Sequence, residues 1–350
     1  MMVRRAGGGA KVVSALVVTL LPAGVVLGET PSPASFLTLA GSVVRVEAER
    51  ESGGLALGTG VTVAPSVVVT NCHVLRDATS IRISGLGRLW EVESEYPDIR
   101  HDLCFLRVPG WTGAPVPLGS SARLRPGETV AALGFTGGTS RSLRFGRVVA
   151  LHAFDGADII ESDSAFTSGA SGGALFDANG SLVGLLTFRK AAAGGGYYSL
   201  PVEWIARRIS TDGQWQDPAP LHTGGAFWQS NPESLPFFLR CATVEAEERW
   251  GALLELTDRW TVESPRDSEP LRVRGRALRG LNRPGAAVAA YNAALQLKPE
   301  DTLAWYGLAL AYADLGDEAA SRRAEATLAS MSEPLAADLH SRLAGARTTQ

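Results

Sequence analysis

Short apolar runs separated by turns dominate the chain between residues 41 and 200. The runs are rich in β-branched and aromatic residues, and Gly, Pro, Asp and Asn interrupt them. No long helical period lies between them, so the pattern predicts antiparallel barrels or a sandwich. The candidate strands are Ser42–Ala48, Gly60–Ala64, Val67–Thr70, Ser80–Ser84, Leu89–Ser94, Leu103–Val108, Thr129–Phe135, Leu143–Leu151, Ile159–Ser162, Ala174–Asp177, Leu182–Phe188 and Tyr197–Leu200.

A helical pattern replaces the strands in the C-terminal third of the chain. Residues 210–235 are rich in Gly, Pro, Gln and aromatic residues, which predicts a linker that packs partly against its neighbours. From about residue 236 the chain repeats every 34 residues, so that Pro265 recurs as Pro299. This part resembles the tetratricopeptide repeat, with a less regular first unit over 236–266. A generic helical bundle is the alternative.

The first 28 residues have the pattern of a targeting segment. Arg4, Arg5 and Lys11 precede the apolar run Val12–Leu27, and small residues follow where cleavage would occur. The run is short for a membrane span, so we expect no stable span after its removal. An uncleaved N-terminal anchor is the alternative. Both interpretations predict an exported protein, periplasmic or secreted.

Composition sets the class but not the chemistry. The chain has 350 residues, of which 45% are hydrophobic and 20% charged, as in ordinary globular proteins. This length favours two domains. The net charge is only −3 and the basic residues are scattered, so we expect no nucleic-acid surface.

The candidate chemistry centres on Ser171, which stands in the sequence Gly-Ala-Ser-Gly-Gly. The glycines allow a tight turn, in which the amides of Gly169 and Ser171 can form a hole for a developing oxyanion. A serine nucleophile needs a base, and the base needs an orienting group. His73 and Asp102 supply both upstream, in one of the known orders for a catalytic triad. Taken singly, the three residues also fit a turn serine, a core histidine and a cap.

Several motifs together resemble the chymotrypsin-fold serine peptidases, and the bacterial HtrA/Deg-like branch most of all. They are Gly58-Thr59-Gly60, Thr70-Asn71-Cys72-His73, Asp102-Leu103 and Gly169-Ala170-Ser171-Gly172-Gly173. The resemblance implies an all-β double barrel, made of two six-stranded antiparallel barrels with the active site between them. It assigns His73 as the base, Asp102 as its orienting acid, Ser171 as the nucleophile, and the amides of Gly169 and Ser171 as the oxyanion hole.

The resemblance also assigns a specificity pocket. Its floor falls at Ala165, and its wall strand contains Thr187, Phe188 and Arg189. Thr187 stands where the family uses a hydroxyl to support the aspartate. Because Ala165 carries no charge, we expect cleavage after small or medium apolar residues rather than after Lys or Arg.

Two of the three cysteines flank the candidate triad. Cys72 precedes His73, and Cys104 follows Asp102 by two residues. In an oxidising compartment a Cys72–Cys104 disulfide is one interpretation, and two buried free thiols are the other. No spacing of Cys and His resembles a metal site, and we expect neither a metal nor an organic cofactor.

These observations predict an exported serine endopeptidase that acts through an acyl-enzyme on a protein or peptide substrate. The expected segments are a signal peptide (1–28), a peptidase domain (36–212), a linker (213–235), helical repeats (236–334) and a C-terminal helix or tail (335–350). We expect the repeats to dock a protein partner, and a rigid spacer is the alternative. For the whole chain the alternatives are a catalytically silent scaffold that acts through its repeats, and an esterase with the same triad.

Overall fold

The strands precede the helices along the chain, as the pattern of apolar positions predicts. A computed structural model describes residues 39–190, 196–211, 213–222 and 224–348, so the predicted signal peptide at 1–28 lies outside the described residues. The strands are β1 (Val43–Arg50), β2 (Leu55–Ala64), β3 (Val67–Thr70), β4 (Ala78–Gly85), β5 (Arg88–Glu91), β6 (Ser94–Asp98), β7 (Leu103–Arg107), β8 (Thr129–Thr136), β9 (Ser140–Phe154), β10 (Ala157–Ser162), β11 (Ala174–Phe176), β12 (Leu182–Arg189) and β13 (Tyr197–Pro201). The α-helices are α1 (Val202–Ile209), α2 (Phe237–Ala246), α3 (Trp250–Glu263), α4 (Glu269–Gly280), α5 (Pro284–Leu297), α6 (Thr302–Asp314), α7 (Glu318–Met331) and α8 (Glu333–Thr348).

The first seven strands form one antiparallel sheet in the order β5-β4-β1-β2-β3-β7-β6. The sequence predicts one strand, Leu89–Ser94, where the structure has β5 and β6. The chain changes partner between them: the Val92 amide donates to Ile81 of β4 (3.1 Å) and the Glu93 amide donates to Arg107 of β7 (2.9 Å). The first predicted six-stranded barrel is therefore a seven-stranded sheet, whose two end strands are joined by the chain rather than by a ladder of hydrogen bonds.

The next six strands form a closed barrel in the order β10-β13-β12-β11-β8-β9. A single apolar cluster runs from β2 of the first sheet through this barrel to α2 and α3, and includes Val61, Leu133, Leu185 and Phe238. Burial of this shared core fixes the two β-units against each other. The predicted fold class, an all-β double-barrel part followed by helical repeats, is confirmed apart from the open first sheet.

The helices after residue 236 form antiparallel pairs, as the 34-residue period predicts. Asp301 and Asp317 begin α6 and α7 by accepting hydrogen bonds from the amides of Ala304 and Ala320. The ring of Tyr291 packs between α4 and α6, where Gly275 and Gly307 leave room for it. A Cβ atom at either glycine would overlap the tyrosine ring. The period therefore reflects close helix packing.

The helical repeats contact the closed barrel through a buried histidine. Nδ1 of His152 in β9 lies 2.7 Å from Glu269 of α4, and its Nε2 lies 3.0 Å from Glu161 of β10. The imidazole also stacks on Phe238 of α2, with the ring centroids 4.5 Å apart. Burial disfavours the charged imidazole, but the two carboxylates outweigh this effect and raise the pKa of His152 to about 9.

A second contact lies at the far end of the repeats. Ser332, just before α8, donates to the carbonyl of Pro126 in the barrel (3.4 Å). A Cβ atom at Gly127 would lie 3.2 Å from Leu335 of α8, so barrel and helix approach closely there. Across the described ranges, no helix is both long enough and apolar enough to cross a membrane.

Candidate active site

Ser171 lies in the loop between β10 and β11, where three glycines let separate strands approach. Gly169 has φ +92° and Gly172 has φ +83°, both in the left-handed region that glycine adopts without strain. A Cβ atom at Gly169 would overlap the amide of Gly138, and one at Gly172 would overlap the carbonyl of Thr59. Each glycine is therefore required by its backbone angle and by the space around it.

The amides on either side of Ala170 are unbonded in the structure. Ala170, Gly172 and Gly173 donate their amides to the carbonyls of Thr167, Leu186 and Ala170. The amides of Gly169 and Ser171 donate to no group in the described part of the chain. Two unbonded amides beside a serine hydroxyl are what the stabilisation of an oxyanion requires.

Thr59 of β2 joins this loop to the first sheet and to the barrel. Its hydroxyl donates to the carbonyl of Gly169 (2.7 Å) and accepts from the amide of Phe135 in β8 (2.9 Å). Its own amide donates to the carbonyl of Ser171 (2.8 Å), and its carbonyl accepts from the hydroxyl of Thr70 (2.6 Å). Thr59 is fully buried. Through Thr59, the Gly-Thr-Gly motif thus holds the serine loop by two hydrogen bonds, to Gly169 and Ser171, and joins it to β8 and β3 by two more.

His73 and Asp102 form a close pair at the end of the first sheet. His73 lies on a short 3-10 helix, Cys72–Leu75, that follows β3. Asp102 immediately precedes β7, which pairs with β3. One carboxylate oxygen accepts from the backbone amide of His73 (2.8 Å), and the other lies 2.7 Å from Nδ1 of its ring. Asp102 is almost fully buried, whereas the side chain of His73 is 21% exposed. The pair leaves Nε2 as the basic nitrogen of the ring.

The backbone of Asp102 is held as firmly as its side chain. Its φ of +57° lies in the left-handed region, which costs a non-glycine residue about 1 kcal/mol or more. The carbonyl of Asp102 accepts from Nδ2 of Asn71 (2.9 Å) and from the amide of Cys72 (3.3 Å). A disulfide joins Cys72 to Cys104, so the segments that carry His73 and Asp102 are also linked covalently.

A tryptophan from the segment predicted as a linker completes the surroundings of Asp102. Nε1 of Trp228 donates to the carboxylate of Asp102 at 3.2 Å. The indole stands edge-on to His73, with centroids 5.5 Å apart, and lies parallel to Phe188 at 4.8 Å. No sequence pattern indicates this contact, since Trp228 lies 126 residues from Asp102.

Ser171 is near this pair but is hydrogen-bonded elsewhere. Its hydroxyl donates to the carbonyl of Thr187 at 3.3 Å. No hydrogen bond joins it to His73 within the described ranges. Such bonds are often long or misaligned before substrate binds. A rotation of the serine side chain would be needed before His73 could accept its proton.

Two family models match the chain. The trypsin-like peptidase domain matches residues 58–185. The chain contains a trypsin-like peptidase domain. The TPR repeat matches residues 275–316. The resemblance drawn from the sequence motifs is therefore confirmed for both parts of the chain.

Curated relatives of this part of the chain include serine endoproteases. Another is the anti-sigma-I factor RsgI9 of Acetivibrio thermocellus, 29% identical over 152 residues, which are 42% of this chain and 21% of that protein. The periplasmic serine endoprotease DegP of Escherichia coli is 32% identical over 150 residues, which are 40% of this chain and 32% of that protein. The chloroplastic protease Do-like 1 of Arabidopsis thaliana is 32% identical over 152 residues, 39% of this chain and 35% of that protein. The chain thus spans about a third of the length of these two proteases. Their similarity supports a peptidase role.

A solved structure also resembles the peptidase domain. The HtrA-type protease AlgW with a tripeptide has a TM-score of 0.47 and 26% identity to this chain. The match covers 51% of this chain and 62% of that structure.

The residues assigned to the specificity pocket do not share one environment in the peptidase domain. Ala165 and Arg189 are exposed, whereas Thr187 and Phe188 are buried. Phe188 lies between two parallel rings, those of Tyr198 and Trp228. It therefore has no free face to offer a substrate. The assignment of Phe188 to the wall of a specificity pocket stays a prediction, with Trp228 packed against the ring.

Thr187 also differs from the role that the family resemblance assigns to it. Its hydroxyl donates to the carbonyl of Leu185 (2.8 Å) and accepts from Nδ2 of Asn71 (3.1 Å). It makes no hydrogen bond to the carboxylate of Asp102, since its proton is already committed to β12. Trp228, from the linker, donates to that carboxylate instead.

Proposed function

We propose that the chain is an exported serine endopeptidase that uses His73, Asp102 and Ser171 as a triad. The observation that supports this most strongly is the pair of hydrogen bonds from His73 to the carboxylate of Asp102. They fix the ring with Nδ1 as the donor and Nε2 as the acceptor, which is the tautomer that a general base requires. The similarity to serine endoproteases makes peptide-bond hydrolysis the reaction class.

In the proposed reaction, Ser171 turns from Thr187 toward His73, and its oxygen attacks the scissile carbonyl carbon. His73 takes the hydroxyl proton on Nε2, and Asp102 stabilises the imidazolium. The amides of Gly169 and Ser171 donate to the oxyanion. His73 then gives its proton to the leaving amine as the carbon–nitrogen bond breaks. Water hydrolyses the acyl-enzyme by the same sequence of proton transfers.

We propose further that the helical repeats dock a protein partner on the side that faces the barrel. A cavity of about 710 Å³ lies there, between β9 and helices α4, α5, α6 and α8. Its lining contains two aspartates and five arginines: Arg147, Arg272, Arg276, Arg279 and Arg342. The hydroxyl of Tyr291, another lining residue, has no hydrogen-bond partner among the described residues. Four of these arginines already form ion pairs with carboxylates of the chain. Among the described residues, the exposed Arg147 is the lining cation that an acidic group of the partner could meet.

A fluorophosphonate probe tests the catalytic proposal. The full chain should react with it, and Ser171→Ala should not. Ser168→Ala is a matched control in the same loop, and it should react like the unchanged chain. A peptide library would then test the expected cleavage after small or medium apolar residues. Dominant cleavage after Lys or Arg would contradict that specificity.

A catalytically silent scaffold that acts through its repeats is the second candidate. The hydrogen bond from Ser171 to Thr187, in place of one to His73, favours it. Absence of probe reaction, with a folded chain and with a protein substrate present, would support the scaffold over the peptidase.

A further inference from the structure

We propose that Trp228 is a positioning residue for the triad, and that the linker supplies it from outside the part of the chain that matches the peptidase family. This inference rests on the proposed peptidase function. The family match ends at residue 185, and Trp228 lies 43 residues beyond it. Its indole N–H nevertheless donates directly to the carboxylate of Asp102.

The hydrogen bonds around Asp102 leave Trp228 as the further side chain that positions its carboxylate. One carboxylate oxygen accepts from the His73 amide, and the other receives both Nδ1 of His73 and Nε1 of Trp228. The neighbouring polar side chains are committed elsewhere: Asn71 donates to the backbone carbonyl of Asp102, and Thr187 donates to Leu185. Within the described residues, Trp228 is the side chain besides His73 that donates to this carboxylate.

Such a bond orients the carboxylate. Hydrogen bonds to an ionised acceptor are stronger than neutral ones, and a third donor restricts rotation of the carboxylate about its own bond. Restricted rotation keeps Oδ2 of Asp102 in line with Nδ1 of His73. The indole also stands edge-on to the ring of His73, but its polar contact with the triad is the hydrogen bond to Asp102.

Contacts on both sides hold Trp228 in place. The amide of Phe227 donates to the carbonyl of Arg100 (3.0 Å), two residues before Asp102. The side chain of Gln229 accepts from Arg76 (2.9 Å), three residues after His73. The indole face rests on Phe188. The linker is thus anchored to the same two segments that carry the acid and the base.

The substitution Trp228→Phe tests the proposal in the full chain, because it removes the N–H and keeps an aromatic ring on Phe188. We expect the fluorophosphonate reaction and the kcat for a protein substrate to fall about tenfold, with KM changed less than twofold. Trp215→Phe is the matched control. This linker tryptophan packs on Arg107 and Tyr96, away from the triad, so its loss should change neither rate by more than twofold.

A double substitution separates positioning from packing. If Trp228 acts through Asp102, then Trp228→Phe should have no further effect in an Asp102→Ala background. A purely structural tryptophan would cost the same factor in both backgrounds, and that result would overturn the proposal.

A proton NMR spectrum gives a readout that does not depend on activity. The indole N–H resonance of Trp228, assigned by its loss in Trp228→Phe, should shift in Asp102→Ala, and that of Trp215 should not. An unshifted resonance refutes the hydrogen bond. Absence of probe reaction in the unchanged chain refutes the peptidase function instead. A reactive chain in which both tryptophan variants react equally refutes this inference alone.

Discussion

Replacing Thr59 by valine should damage the serine loop more than any other change of one polar atom in β2. The substitution keeps the volume and branching of the side chain but removes its hydroxyl. Two groups then lose their partner: the carbonyl of Gly169, at 2.7 Å from the hydroxyl, and the amide of Phe135, at 2.9 Å. The backbone hydrogen bonds of Thr59 itself remain.

The magnitude follows from those two groups. Each buried polar group left without a partner costs roughly 1–3 kcal/mol, so the loss of two partners should lower the free energy of unfolding by about 2–6 kcal/mol. Without the Thr59 hydroxyl, the carbonyl of Gly169 also loses its anchor to β2. The amide of the same residue is one of the two candidate oxyanion donors. A displacement near 1 Å at such a donor lowers kcat by about a hundredfold, and complete loss by up to about a thousandfold. We expect a fall in kcat of about 10- to 100-fold.

Thr62→Val provides the comparison on the same strand. Thr62 is equally buried, and its hydroxyl accepts from Nε1 of Trp111 (3.0 Å), on the side away from the serine loop. Urea denaturation would give both changes in stability, and the rate of fluorophosphonate labelling would report the active site. Thr62→Val should be destabilised by about 1–3 kcal/mol and label at the normal rate. Equal labelling by the two folded variants would refute the role of Thr59.

Three further predictions concern features outside the serine loop. Because the folded chain raises the pKa of His152 to about 9, its stabilising effect is complete below about pH 6.5, the unfolded pKa, and is lost as the pH rises through about 9. Calorimetry should show this loss of stability, on the order of 3 kcal/mol, in the unchanged chain and not in His152→Gln. Replacing both Cys72 and Cys104 by serine should lower the free energy of unfolding by about 3–4 kcal/mol, because the disulfide closes a loop with a sequence separation of 32; an unchanged denaturation midpoint would contradict this. Tyr291→Phe should leave the free energy of unfolding unchanged or slightly higher, since its buried hydroxyl has no partner among the described residues; a loss of more than about 1 kcal/mol in urea denaturation would contradict this.

The secondary-structure elements and the candidate site motifs are predicted well from the sequence, because each depends on residues that are close together in the chain. The glycines around Ser171 mark a turn that only glycine can make, and the motifs around His73 and Asp102 name two residues that the structure joins by hydrogen bonds. The helix pairs follow from a period that reflects packing of Tyr291 against neighbouring glycines. In each case the local structure requires these residue types at this spacing, so the requirement is visible in the sequence.

Long-range contacts leave no such signal. The alternation of residues continues through Val92 and Glu93, so nothing shows that the chain changes partner there and leaves the first sheet open. His152 and Glu269 are 117 residues apart, and each reads alone as an ordinary surface residue. Trp228 looks like one more aromatic residue in a linker. The motif shows Thr59 as a match to the family, but its two side-chain hydrogen bonds become visible only in three dimensions.

The aromatic contacts connect the helical repeats to the candidate active site without a gap. Phe238 of α2 stacks on His152 and contacts Tyr198, Tyr198 stacks on Phe188 at 4.8 Å, and Phe188 stacks on Trp228 at the same distance. Closely packed rings transmit a displacement because little free volume can absorb it. The barrel, the linker and the first helix after it therefore share one continuous run of packed rings, so the surroundings of Asp102 depend on residues well beyond the part of the chain that matches the peptidase family.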